Sequence, residues 1–158
     1  MATIYEAIEA DHKHHRELLD KLSETSGDSP ERRKMWEEFY YDVKSHAAAE
    51  EETFYSKLIA QPMGQDDARH SVHEHQELDD IMEELNDMDM SSPGWLTRFK
   101  TLKHDYEHHM EEEEDEIFAK ARKVLQGDED ASFAAAFEKR KKAERGLVDK
   151  KAADSLDH

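Results

Sequence analysis

The stretch His46 to Tyr55, His-Ala-Ala-Ala-Glu-Glu-Glu-Thr-Phe-Tyr, returns as His109 to Phe118, His-Met-Glu-Glu-Glu-Glu-Asp-Glu-Ile-Phe. In both, a histidine is followed four residues later by a glutamate, then by a second glutamate and a large apolar pair, Phe54-Tyr55 or Ile117-Phe118. A second echo precedes each. Asp11-His12 leads to His15, Leu18, Leu19 and Leu22, and Glu74-His75 leads to Leu78, Ile81, Met82 and Leu85 at the same offsets. One helical pair is thus written twice, and a pseudo-twofold arrangement would bring the marked residues together at its axis.

Working outward, the chain breaks at Gly27–Pro30, Pro62–Gly64, Ser91–Gly94 and Gly127–Asp130. Between the breaks apolar residues recur at helical spacing, not in alternation. Thr3 with Glu6 reads as a capping box, and Ser29-Pro30 and Ser92-Pro93 as caps followed by a first-turn proline. The pattern predicts helices over residues 4–25, 31–60, 65–88, 94–125 and 131–145. Four long helices with short connections make an all-α, antiparallel up-down-up-down four-helix bundle. It spans residues 1–127, with a short extra C-terminal helix and loose tail over 128–158. The fifth helix carries Phe133 and Phe137 as an appendage, and Lys139–Lys142 reads as a solvated face.

Composition sets the limits. Among 158 residues, 39% are charged, the formal net charge is −18, and Leu, Ile, Val and Phe together number only 26. That composition alone signals disorder, and helical periodicity overrules it. The charge argues against nucleic acid and anionic membrane surfaces as partners, since both need clustered Lys and Arg. No apolar run approaches the roughly 20 residues of a membrane span, and the first nine residues lack the features of a secretory signal. The absence of cysteine excludes thiolate chemistry. A cytoplasmic protein, monomer or homodimer, is expected. Eleven histidines stand out against this acidic background.

Their facing follows from about 100° of rotation per residue. On the fourth predicted helix Trp95, Phe99, Tyr106, Met110 and Ile117 define the buried stripe. Glu113 lies on that stripe and His109 at its edge. His104, His108 and Glu112, a rival series by spacing, fall outside it. The same test turns His46 and Glu50, His75, and His12 toward the core of their own helices, with His15 near the centre of its stripe. His14, His70 and His73 point away. Six ionisable groups, His12, His46, Glu50, His75, His109 and Glu113, therefore face one interior from all four helices. Burying them unpaired is costly, and a pair of cations removes the cost. The simpler reading, interior histidines satisfied by the glutamates, has to account for four helices together. Imidazole with carboxylate suits iron, zinc or manganese. A His-x3-Glu helix can offer a terminal imidazole and a bridging carboxylate, because residues at i and i+4 share a face.

These residues resemble the hemerythrin-like, HHE cation-binding domain family over about residues 4–125. The resemblance implies a non-haem di-iron centre, oxo- or hydroxo-bridged, with zinc or manganese as substitutes. Glu50 and Glu113 would bridge, and His12, His46, His75 and His109 would be terminal ligands. Oxygen-carrying members have a His-x3-His on the third helix, where this chain has Ser71 four residues before His75. Lacking that histidine, the centre is expected to keep a position for a small diatomic or peroxide ligand, near Ser71. Oxygen, peroxide or nitric oxide chemistry in sensing or oxidative-stress defence follows, extending to peroxide decomposition or oxidase-type turnover. Iron storage without turnover is the alternative, favoured by the acidic surface. Asp11 and Glu74 are read as acceptors for histidine N–H groups, against the simpler reading of solvated helical acids. His15 is an added ligand, a proton shuttle or a packed histidine bonded to a neighbouring helix.

Overall fold

The computed structural model describes residues 3–125 and 131–156, with side chains to residue 146 except 131–133. Helix α1 (Ile4–Ser23) starts at a capping box in which Thr3 and Glu6 exchange side-chain and backbone hydrogen bonds. Helix α2 (Pro30–Glu50) starts at Ser29, whose hydroxyl accepts from the Arg32 N–H, with Pro30 in the first turn. A π-helical segment (Glu51–Tyr55) joins α2 to α3 (Ser56–Ile59). Next come α4 (Gln65–Asp87) and α5 (Pro93–Glu112), the latter capped by Ser92. A second π segment (Glu113–Ile117) leads into α6 (Phe118–Val124), and α7 (Ala131–Leu156) closes the chain. The link into α4 requires Gly64, where a Cβ would stand 2.5 Å from a Leu58 methyl and 2.7 Å from its carbonyl oxygen.

Helix α1 packs on α2 and α5, and α4 packs on α5 and α2, giving the bundle expected from the sequence. Two of the expected long helices are each interrupted by a π turn. Neither Glu51–Tyr55 nor Glu113–Ile117 contains a glycine or proline, so no breaker residue marks the turn in the sequence.

The C-terminal helix departs most from expectation. It is 26 residues long, running past Gly146 and through the expected loose tail to Leu156. An interior glycine costs a helix only about 1 kcal/mol relative to alanine, too little to stop one. Nor is it an appendage, because it lies along α2 and α1 and inserts the fully buried Phe137 into the core. The side chain of Phe133, the break at Gly127–Asp130 and His158 lie outside the described residues. No described helix is long and apolar enough to cross a membrane.

The core divides in two. One cluster gathers Ile4, Tyr5, Ile8, Phe54, Leu58, Phe118 and Phe137. The other gathers Leu18, Leu19, Leu22, Trp36, Phe39, Trp95 and Phe99 around stacked and edge-on rings. Tyr40 is half-buried and donates its hydroxyl to Glu83. Buried Arg32 closes the far end, donating to Thr25 and to the Met90 carbonyl while lying over the Trp95 ring. Between the clusters lies a buried polar layer.

Candidate metal centre

On α1 the apolar sequence Ile4, Tyr5, Ile8 stops at His12 and resumes at Leu18, so His12 falls between the two clusters. His46 and Glu50 on α2, His75 on α4, and His109 and Glu113 from α5 into its π turn join it at the same level. All but His75 are fully buried, and its side chain is only 9% exposed. Each π turn starts at or just after the buried glutamate. The following acid, Glu51 or Glu114, is thereby turned toward a histidine of the other helical pair.

The Nε2 atoms of all four histidines point into one pocket. His12 Nε2 lies 3.1 Å from Glu113 Oε1, and His46 Nε2 lies 3.5 Å from Glu50 Oε2. His75 Nε2 lies 3.1 Å from Glu50 Oε1, and His109 Nε2 lies 3.8 Å from Glu113 Oε2. Two overlapping sets result: His12, His46, Glu50 and Glu113, and Glu50, His75, His109 and Glu113. Within each, one donor atom per residue lies within 4.8 Å of every other. Both carboxylates belong to both sets.

Outside the pocket, carboxylates hold the other ring nitrogens. His46 Nδ1 donates to Asp11 at 2.7 Å and His109 Nδ1 to Glu74 at 2.8 Å. His12 Nδ1 donates to Glu114 at 2.7 Å, and Arg16 grips that carboxylate with two nitrogens. His75 Nδ1 makes no hydrogen bond and lies 3.8 Å from Glu51. A donor bond at Nδ1 fixes the tautomer that leaves the Nε2 lone pair facing inward.

The buried imidazoles and carboxylates shift one another's ionisation. Burial opposes ionisation of Glu50, yet His46 and His75 hold its carboxyl well below the usual range. Burial and the Glu50 charge push Glu113 far up. Burial alone would depress His46 and His75, but Glu50 outweighs it, helped by Asp11 at His46 and Glu51 at His75, and each imidazole is held at about 9. His75 and His109 bring their Nε2 atoms to 3.1 Å of each other. Two lone pairs at that separation repel unless a proton or cation lies between them. His12 Nε2, both oxygens of Glu50 and Glu113 Oε1 are buried without a hydrogen bond. Buried polar atoms are ordinarily satisfied, so these four unsatisfied atoms in one pocket are what metal ions would complete. The donor set fits the group.

Asp11 and Glu74 bond the ring nitrogens of His46 and His109, not those of the histidines next to them in sequence. Asp11 also receives Lys141 from α7 at 2.8 Å, so this residue of the expected solvated run is an ion-pair partner, drawn in by a half-buried carboxylate. Burial opposes ionisation of Asp11, but His46 and Lys141 hold it at about 2. His15 uses both nitrogens away from the pocket, on the Tyr106 hydroxyl at 2.7 Å and on Asp42. Burial is the main reason its imidazole is held down at about 4. Ser71 is buried with a hydroxyl that makes no hydrogen bond. His14, His70, His73, His104 and His108 are exposed to solvent, as their facing indicates.

Sequence reasoning missed Tyr55, whose buried hydroxyl donates to Glu113. The repeat held the signal: Tyr55 is the one polar member of the two apolar pairs ending at Tyr55 and Phe118. It also missed Glu114, whose carboxylate accepts from His12 and Arg16. From outside, a cleft between α2 and α4 leads to His46, His75 and His109 through a cavity of about 280 Å³. Val43, Ala47, Val72, Leu78 and Met82 line it.

The sequence profile of the Hemerythrin HHE cation binding domain matches residues 3–121. The chain belongs to this family. Among solved structures it is similar to a hemerythrin HHE cation-binding domain-containing protein from Mycobacterium kansasii, with a TM-score of 0.83. The two are 23% identical, and the match covers 96% of this chain and 92% of the other. Such identity speaks for the fold alone. A curated relative, named a DNA nickase, from Nostoc sp. (strain PCC 7120 / SAG 25.82 / UTEX 2576), is 26% identical over 134 residues. That is 85% of this chain but only 38% of the relative. The HHE profile ends before α7, so Phe137 and Lys141 are additions to the matched region.

Proposed function

We propose that this HHE domain holds two iron ions between its four inward histidines and two shared glutamates, and that the centre binds or reacts with a small oxidant: oxygen, peroxide or nitric oxide. One observation carries the reading. Four Nε2 atoms and two carboxylates, buried between apolar clusters, with His12 Nε2, both Glu50 oxygens and Glu113 Oε1 lacking hydrogen bonds, form two donor sets that share both glutamates. When bound, such a pair of ions supplies two adjacent one-electron couples and the Lewis acidity to hold a small oxidant.

The chain's own residues do the rest. Asp11, Glu74 and Glu114 each accept an imidazole N–H, fixing ring orientation and raising the donor strength of the opposite nitrogen. Tyr55 keeps a proton on its hydroxyl against Glu113 and fixes that carboxylate's orientation. The apolar cleft beside His75 admits a small molecule while excluding bulk water. The nickase name is not carried over: this chain spans a minor part of that relative, and a net charge of −18 opposes a phosphate backbone as ligand.

The test is elemental analysis and a visible spectrum of protein made in iron-replete medium. Two irons per chain are expected, with absorption that changes on adding peroxide, on adding nitric oxide, or on readmitting oxygen after dithionite. Protein without iron, or a spectrum indifferent to all three, overturns the proposal. Well over two irons per chain favours storage.

A further inference from the structure

We propose a third cation site, on the outer face of α4 and α5, formed by His70, Glu74 and Glu112 with His108 at its rim and suited to a divalent transition-metal ion. His70 Nε2 lies 3.0 Å from Glu112 Oε1 and 3.5 Å from Glu74 Oε2. One donor atom from each of these three residues lies within 4.8 Å of the other two. His108 Nε2 faces the remaining Glu112 oxygen at 3.6 Å. Two imidazoles and two carboxylates form a mixed donor set that zinc, manganese and ferrous iron all accept. The histidine side chains are 51% and 67% exposed, so a cation can reach the site, and water can complete its coordination. The carboxylates are only about a fifth exposed, 19% for Glu74 and 21% for Glu112.

The repeat supplies an independent argument. Glu74 corresponds to Asp11, and each accepts the Nδ1–H of a central histidine. In the first half, Lys141 balances the charge of that carboxylate. Among the described residues no lysine pairs with Glu74 in the second half; the acid instead turns its other oxygen toward His70. The positions matching His70, Glu112 and His108 in the first half are Ala7, Ala49 and Ser45, where no cluster of this kind is possible. A bound cation on one side thus takes the place that the ammonium takes on the other. The site lies one carboxylate away from His109, and it is defined whichever metal fills the centre.

The experiment uses the protein as purified, with resident metal measured before and after titration with Zn2+ in a calorimeter. The wild type is expected to take up one more zinc per chain than His70→Ala or Glu112→Gln. Both variants should keep the resident metal content and visible spectrum. If the central pocket is purified metal-free, the wild type should bind three zinc ions and the variants two, so failure of the di-iron reading and failure of this site read out separately. Zinc-edge anomalous density between His70, Glu74 and Glu112 is the structural counterpart. Equal zinc uptake by wild type and variants, or density elsewhere only, overturns the proposal.

Discussion

Residues 63 positions apart play matching parts in the two halves of this bundle: Asp11 and Glu74, His12 and His75, His46 and His109, Glu50 and Glu113. Their surroundings differ. In the first half His12 is locked by Glu114, itself gripped by Arg16, and Asp11 is neutralised by Lys141 from α7. In the second half His75 has no hydrogen bond at Nδ1, borders an apolar cleft, and is the least buried of the six. The repeat accounts for the donor set, and the departures from it leave His12 locked and His75 beside the cleft. Chemistry is expected at the second.

The largest effect should come from the shared carboxylates, since each serves both donor sets. Glu113→Ala or Glu50→Ala is expected to remove both ions, read as metal per chain. Retention of two ions by either variant would show that the sets are not shared.

Next come the two acids that directly follow the shared glutamates, Glu114 and Glu51. Glu114→Gln should weaken metal affinity roughly 10- to 100-fold, the usual cost of losing a partner behind a ligand. Glu51→Gln should stay close to wild type in a competitive chelator titration, because Glu51 is too far from His75 to bond it. Equal losses would erase the difference between the halves. Glu114 adds a pH signature. Burial works against its ionisation, but His12 and Arg16 prevail and hold its carboxyl at about 2. A depressed carboxylate stabilises the fold fully above its ordinary pKa and loses that contribution as pH falls through its folded value. The stability gap between metal-free wild type and Glu114→Gln should therefore be widest above about pH 4.5 and close toward about pH 2 in urea melts.

How much of this was legible follows from what each residue reports. The six central residues could be read because a helix converts spacing into facing, and four helices gave four agreeing answers. The π turns could not, since neither Glu51–Tyr55 nor Glu113–Ile117 carries a glycine or proline to mark it. Lys141 resembled any exposed lysine, and only the packing of α7 on α1 takes it to Asp11. His70 and Glu112 face away from the core and so fall outside the inward-facing set. That is correct for the central pocket, and facing says nothing about a site on the surface between two helices.

Two smaller effects sharpen the contrast. Lys141→Met should destabilise the protein by about 1–3 kcal/mol in urea unfolding, because Asp11 keeps its burial and loses a charged donor. A neutral result would mean that water replaces the ammonium. Smallest of all, Ala47→Met gives the cleft the residue found at the matching position, Met110. It should slow azide or nitric oxide association several-fold in stopped flow at unchanged iron content. An unchanged rate would move the access route elsewhere.

The most direct test of the central claim is anomalous diffraction from crystals of the iron-loaded protein on either side of the iron absorption edge. Two peaks within the layer are expected, one among His12, His46 and both glutamates, the other among His75, His109 and the same two glutamates. A single peak, or no iron between the four Nε2 atoms, would contradict the account.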